Sequence, residues 1–115
     1  FCYLMAADEA SIALIENMEE FTEATASSLT VVDFTAAWCS PCMRILPVFV
    51  GLSVEFEGKM KFAKVDVDIA DDVHQHVGIK KLPVFKVYKD GQELDEVQGA
   101  NADELREMVI KASAL

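Results

Sequence analysis

The segment Trp38-Cys39-Ser40-Pro41-Cys42 constrains this chain more tightly than any other, because of what stands on either side of it. Before it runs the apolar, β-branched sequence Leu29-Thr30-Val31-Val32-Asp33-Phe34, which reads as a buried strand; after it, Ile45-Leu46-Pro47-Val48-Phe49 opens an amphipathic stretch. The chain must therefore leave a strand and enter a helix within a few residues, which sets both cysteines at the helix N-terminus. Two cysteines separated by two residues can close into a small disulfide and reopen. The partial positive charge of a helix N-terminus favours the thiolate of the first.

A length of 115 residues suits one domain with a real hydrophobic core. No apolar run approaches the roughly 20 residues that a membrane-spanning helix needs, so no membrane association is expected. The formal net charge of −10 is uneven: residues 1–30 carry six acids and no base, residues 31–90 carry eight of each, and residues 91–115 carry six acids against Arg106 and Lys111. Such a balance argues against nucleic acid, whose binding rests on neutralising phosphates with Lys and Arg. Three cysteines are too few for a disulfide scaffold and favour a reducing compartment, so a cytoplasmic location is expected. Phe1-Cys2-Tyr3-Leu4-Met5-Ala6-Ala7 lacks the basic flank and apolar length of a secretory signal, whereas Met5-Ala6-Ala7-Asp8 looks like a natural start. Residues 1–8 are read as a leader, either an expression remnant or the stub of a removed segment, and residues 9–115 as the folded domain.

Hydropathy patterning then alternates along the chain. Ser11 to Ile15 reads as a first strand, followed by a helix capped by Asn17 with Glu20 three positions on, its inner face carrying Met18, Phe21 and Ala24 or Thr25. Leu29–Thr35 is the second strand. Cys42, Ile45, Leu46, Phe49, Leu52, Ser53 and Phe56 recur at helical spacing up to a stop near Gly58, with Pro47 expected to kink the helix by removing the bond to the Met43 carbonyl. Lys61–Val67 alternates as a third strand, and Asp68 is placed to cap a short helix whose Ile69, Val73 and Val77 share a face before Gly78. Val84–Tyr88 and Glu93–Gln98 flank the hairpin signal Asp90-Gly91. Asn101 with Glu104 caps a closing helix buried through Leu105, Met108, Val109 and Ala112. The alternating first part implies parallel strands and the hairpin an antiparallel pair, hence an α/β fold with a mixed five-stranded sheet flanked by four helices.

A Cys-x-x-Cys pair can also be half of a zinc site. Structural zinc needs four ligands, no second close pair exists, and His74 and His76 are only two apart, so no metal is expected. The histidines read as helix-surface residues, with His76 edging the core. Asp33 lies amid Val31, Val32 and Phe34, where a carboxylate is unfavourable unless it is paired to Lys64 or a hydroxyl, or used in chemistry.

Taken in order, Val32-Asp33-Phe34, Trp38-Cys39-Ser40-Pro41-Cys42, Pro47, Lys64-Val65-Asp66, Leu82-Pro83, Asp90-Gly91 and Gly99 resemble the thioredoxin family over residues 9–115, with Asp33-Phe34-Thr35-Ala36 closest to the eukaryotic cytosolic type. The resemblance implies that Cys39 is the exposed attacking cysteine and Cys42 the buried resolving one. It further implies that Asp33 relays protons to Cys42 with Lys64 as its partner. Ser40 stands where the family more often has Gly, and Pro41 suits the first helical turn. Pro83, which from composition alone would simply start an edge strand in trans, is implied to be cis, leaving the main chain of Leu82 to pair with an extended substrate. Val84 stands where Thr is often found. Trp38 is expected to floor the substrate groove and Gly99 with Ala100 to form its far wall, while Lys80 and Lys81 are either groove residues or solvated surface charge.

The function so implied is protein-disulfide reduction by dithiol exchange, with no bound cofactor and with electrons from NADPH through a thioredoxin reductase. Disulfide-bearing targets such as peroxiredoxins are the expected partners. A monomer is expected, with a Cys2-linked dimer on oxidation. An oxidising or isomerising protein on the same fold, and a binding or chaperone subunit with an incidental dithiol, are the alternatives.

Overall fold

The computed structural model describes residues 11–26 and 28–115; the expectations for the leader and for Cys2 lie outside them. Five strands, β1 (Ile12–Ile15), β2 (Thr30–Thr35), β3 (Lys61–Asp66), β4 (Val84–Lys89) and β5 (Gln92–Gln98), form one sheet in the order β1-β3-β2-β4-β5. β3 lies parallel to both β1 and β2, whereas β4 pairs antiparallel with β2 and with β5. Every residue of β2 is buried, as the central position of an apolar, β-branched run requires.

Four helices cover the two faces: α1 (Met18–Thr25), α2 (Ser40–Glu55), α3 (Asp71–Val77) and α4 (Ala102–Ser113). Phe21 and Val73 bring α1 and α3 onto Val32, Phe34, Val65 and Tyr88. On the other face, α2 through Ile45, Phe49 and Leu52, and α4 through Leu105, Met108 and Val109, pack against Val31, Phe62, Phe85 and Val87. The Phe49 ring sits 5.5 Å from that of Phe62 and 5.6 Å from that of Phe85. The odd and even residues of β2 thus feed separate cores, which is the direct product of its period-two side-chain alternation.

The caps lie where local chemistry places them. Asn17 Oδ1 accepts from the Glu20 N–H at 2.9 Å, and Asn101 Oδ1 from the Glu104 N–H at 3.0 Å. At the hairpin, Asp90 and Gly91 both have positive φ, 53° and 78°, the pair of values that lets a two-residue turn follow the twist of its strands. Pro47 lies inside α2 without ending it.

The third helix departs from expectation. Asp68 does not cap it: Ala70 occupies the cap position without a side-chain bond, and Ile69 is 58% exposed rather than on the buried face. The physical reason is a turn after β3, in which the N–H groups of Ile69 and Ala70 both donate to the Asp66 carbonyl, at 3.1 and 2.8 Å. The helix therefore begins at Asp71, and Asp68 is left free to bond elsewhere.

Candidate active site

β2 ends at Thr35, and the chain turns through Ala36 to deliver Cys39 in extended conformation as the cap residue of α2. Its Sγ accepts the Cys42 backbone N–H at 3.3 Å, so one of the orphan donors of the helix terminus points at the sulfur. Pro41 lies in the first turn, where its missing N–H leaves nothing unsatisfied, and that turn contains no acidic residue. Cys39 and Cys42 are joined in a disulfide, with Cα atoms 5.3 Å apart.

Both cysteines are buried, Cys39 at 4% exposure and Cys42 at 2%. The expected exposure of Cys39 is not met in this disulfide-bonded state, in which its sulfur accepts the Cys42 N–H within the first turn of α2. Access is by way of a groove of about 580 Å³, lined on this side by Trp38, Cys39, Ser40 and Pro41.

Period-two alternation places Asp33 on the same face of β2 as Val31, the face that α2 covers. Asp33 is 2% exposed, and its Oδ1 has no hydrogen-bond partner among the described residues. Burial pushes its carboxyl up to about 7, against the opposing pull of the Lys64 ammonium. Lys64 is its cross-strand neighbour on β3. The sheet thus holds a carboxyl that exchanges its proton near neutral pH in the layer beneath the helix bearing the dithiol.

The far wall of the groove comes from residues distant in sequence. Trp38, 71% exposed, donates its Nε1 proton to Asp68 Oδ2 at 2.7 Å, which fixes the indole beside the dithiol. Val67, Asp68 and His74 line the groove, as do Lys80, Lys81 and Leu82. The Leu82–Pro83 peptide bond is cis.

Gly99 and Ala100, placed by sequence at the far wall, are not among the residues lining this groove. The pairing of Val84 with Gln98 carries Gly99 alongside Pro83 instead, where its N–H donates to the Pro83 carbonyl at 2.8 Å. Asp68 and His74 are groove residues that sequence reasoning missed. A signal for Asp68 existed: it lies two residues past the C-terminal end of a strand parallel to the one leading into the dithiol, and the C-terminal ends of parallel strands lie on the same side of the sheet.

A second depression, of about 540 Å³, lies at the opposite end of the sheet around Leu29, Met60 and Phe62 and is lined by no cysteine or histidine. Among the described residues no group of His, Cys, Asp and Glu is arranged to hold a metal ion, and no helix is long and apolar enough to cross a membrane.

A dithiol capping the helix that follows the central strand of a mixed sheet, with a cis-proline segment at its groove, defines a thiol–disulfide oxidoreductase. Comparison with known proteins narrows the class. The family model described as Thioredoxin matches residues 12–111. Thioredoxin of Coprinus comatus is 42% identical over 105 residues, covering 90% of this chain and 99% of its own length. Thioredoxin of Ictalurus punctatus is 46% identical over 99 residues, covering 83% of this chain and 92% of its own. Among solved structures, a thioredoxin of Malassezia sympodialis aligns with a TM-score of 0.86 at 37% identity, over 90% of this chain and 91% of that one. The chain belongs to the thioredoxin family, and it is a protein-disulfide reductase working by dithiol–disulfide exchange through Cys39 and Cys42.

Proposed function

We propose that Cys39 is the attacking sulfur and Cys42 the resolving one. The observation that carries this order is the Cys42 N–H directed at Cys39 Sγ, which stabilises negative charge on Cys39 and not on its partner. In the reduced protein the Cys39 thiolate attacks one sulfur of a target disulfide, forming a mixed disulfide and expelling the other target sulfur as a thiolate. Cys42 gives up its proton and attacks Cys39 Sγ, which breaks the mixed disulfide, releases the second target thiolate and closes the Cys39–Cys42 bond. Two electrons pass to the target.

Asp33 accepts the Cys42 proton, a role supported by its burial and by a carboxyl poised near 7, with Lys64 holding down the charge that results. The Leu82 main chain pairs with an extended target segment, Trp38 floors the groove, and Ser40 and Pro41 form its rim. Gly99 and Ala100 meet the target beyond Pro83 rather than in the groove itself. The reducing equivalents come from NADPH through a thioredoxin reductase, the targets include peroxiredoxins, and the protein works as a monomer in the cytoplasm. Residues 9–115 are the thioredoxin domain and residues 1–8 a leader. Cys2 takes no part in catalysis and links two chains only on oxidation.

Single-cysteine variants test the order of attack. Cys42→Ser should accumulate mixed disulfides with target proteins that reductant releases, whereas Cys39→Ser should capture none and reduce no insulin in the presence of reductase and NADPH. Efficient capture by Cys39→Ser alone would reverse the assignment.

A further inference from the structure

The charge lining the groove is opposite in sign to that of the protein. The chain as a whole carries −10, yet Lys80 and Lys81, both exposed, line the groove immediately before Leu82. Among the described residues neither makes an ion pair, whereas Lys86 is held by Glu93 and Glu96, and Arg106 by Glu55. The one acid lining the groove, Asp68, has a carboxylate oxygen engaged by the Trp38 indole. Asp71 and Asp72 at the start of α3 are engaged elsewhere, by Gln75 and by the Met18 N–H.

His74 sets the position of the lysine segment. Its Nε2 lies 3.0 Å from the Ile79 carbonyl oxygen, and a carbonyl can only accept, so Nε2 carries the proton and ties α3 to the residue directly before Lys80.

We propose that the groove selects target disulfides whose flanking residues are acidic, with Lys80 and Lys81 as the specificity-determining residues and His74 as the residue that positions them. The proposal rests on Cys39 being the attacking sulfur, since only then must the target segment lie in this groove. A target carboxylate seated here lies beside the two lysines that line the groove. Against these two lysines the groove lining carries one carboxylate, that of Asp68, while charges farther off are screened by salt over about 8–10 Å. Long-range and local electrostatics therefore predict opposite preferences: net charge alone favours basic targets, the groove favours acidic ones.

The test uses peptides that carry one disulfide flanked by Glu, by Gln or by Lys, and reads the second-order rate of their reduction by the reduced protein at low and high salt. The Glu peptide should be reduced about three- to tenfold faster than the Gln peptide, as expected for two exposed ion pairs, with the ratio shrinking at high salt. The double variant Lys80→Gln/Lys81→Gln should bring that ratio close to one. Lys59→Gln/Lys61→Gln alters the net charge equally but at the other end of the sheet, and it should keep the ratio. A Glu peptide reduced no faster than the Gln peptide, or equal loss of preference in both double variants, would overturn the proposal. Loss of all reduction in Cys42→Ser with no mixed disulfide at Cys39 would instead strike the order of attack beneath it.

Discussion

Asp33 shows how one side chain couples stability to pH. Its folded carboxyl is raised from 3.8 to about 7, so between those values the folded protein holds a proton that the unfolded chain has released. This contribution is most favourable to the folded state below the unfolded value, and stability falls as pH rises until the folded group ionises near 7. Asp33→Asn removes the titration. With the disulfide kept closed so that no dithiol titrates, the variant should gain on the parent by about 3 kcal/mol between pH 5 and pH 8 in denaturant unfolding, at 1.36 kcal/mol per pH unit. A difference flat with pH would show that Asp33 is not the buried acid described. This residue was legible in the sequence because a carboxylate inside an apolar strand contradicts its surroundings. His74 was not, since an isolated histidine on a short helix looks like surface until Ile79 folds back to meet it.

At the scale of elements, caps decide where helices begin. Asn101 and Asn17 each offer a side-chain oxygen to the N–H three residues on, and both helices start where their sequences place them. Asp68 has the right chemistry for the same task and does not perform it, because the turn on the Asp66 carbonyl delays the helix and the Trp38 indole takes up its carboxylate. Capping propensity is a local preference of about 1 kcal/mol, which a tertiary hydrogen bond can outweigh. Asn101→Ala should therefore destabilise the protein by about 1 kcal/mol in urea unfolding, with Asn101→Asp close to the parent. An unchanged midpoint in the alanine variant would mean that burial of Leu105, Met108 and Val109 alone sets the start of α4.

The molecule as a whole stands on two cores, one on each face of the sheet, and the disulfide is an addition to them. Cys39 and Cys42 are three positions apart, so the bond closes a very short loop, and chain entropy assigns it about 2 kcal/mol. Reduction should lower the unfolding free energy from denaturant titration by no more than this, while far-UV circular dichroism and cooperative unfolding persist. A reduced form that unfolds non-cooperatively would show that the site staples the fold as well as doing chemistry.

Periodicity, caps and turn chemistry act over a few residues, and to that extent the sequence by itself determined this protein: five strands, four helices, the Asp90-Gly91 hairpin, and a dithiol at the start of α2. Only the tertiary structure decided which strands are neighbours, that Trp38 bonds to Asp68 thirty positions away, that Lys80 and Lys81 line the groove while Gly99 and Ala100 do not, and that Cys39 lies buried in the disulfide-bonded state. These features join segments far apart along the chain. Such contacts exist only after both cores have closed, because only the summed burial of those cores outweighs the entropy of holding the segments together.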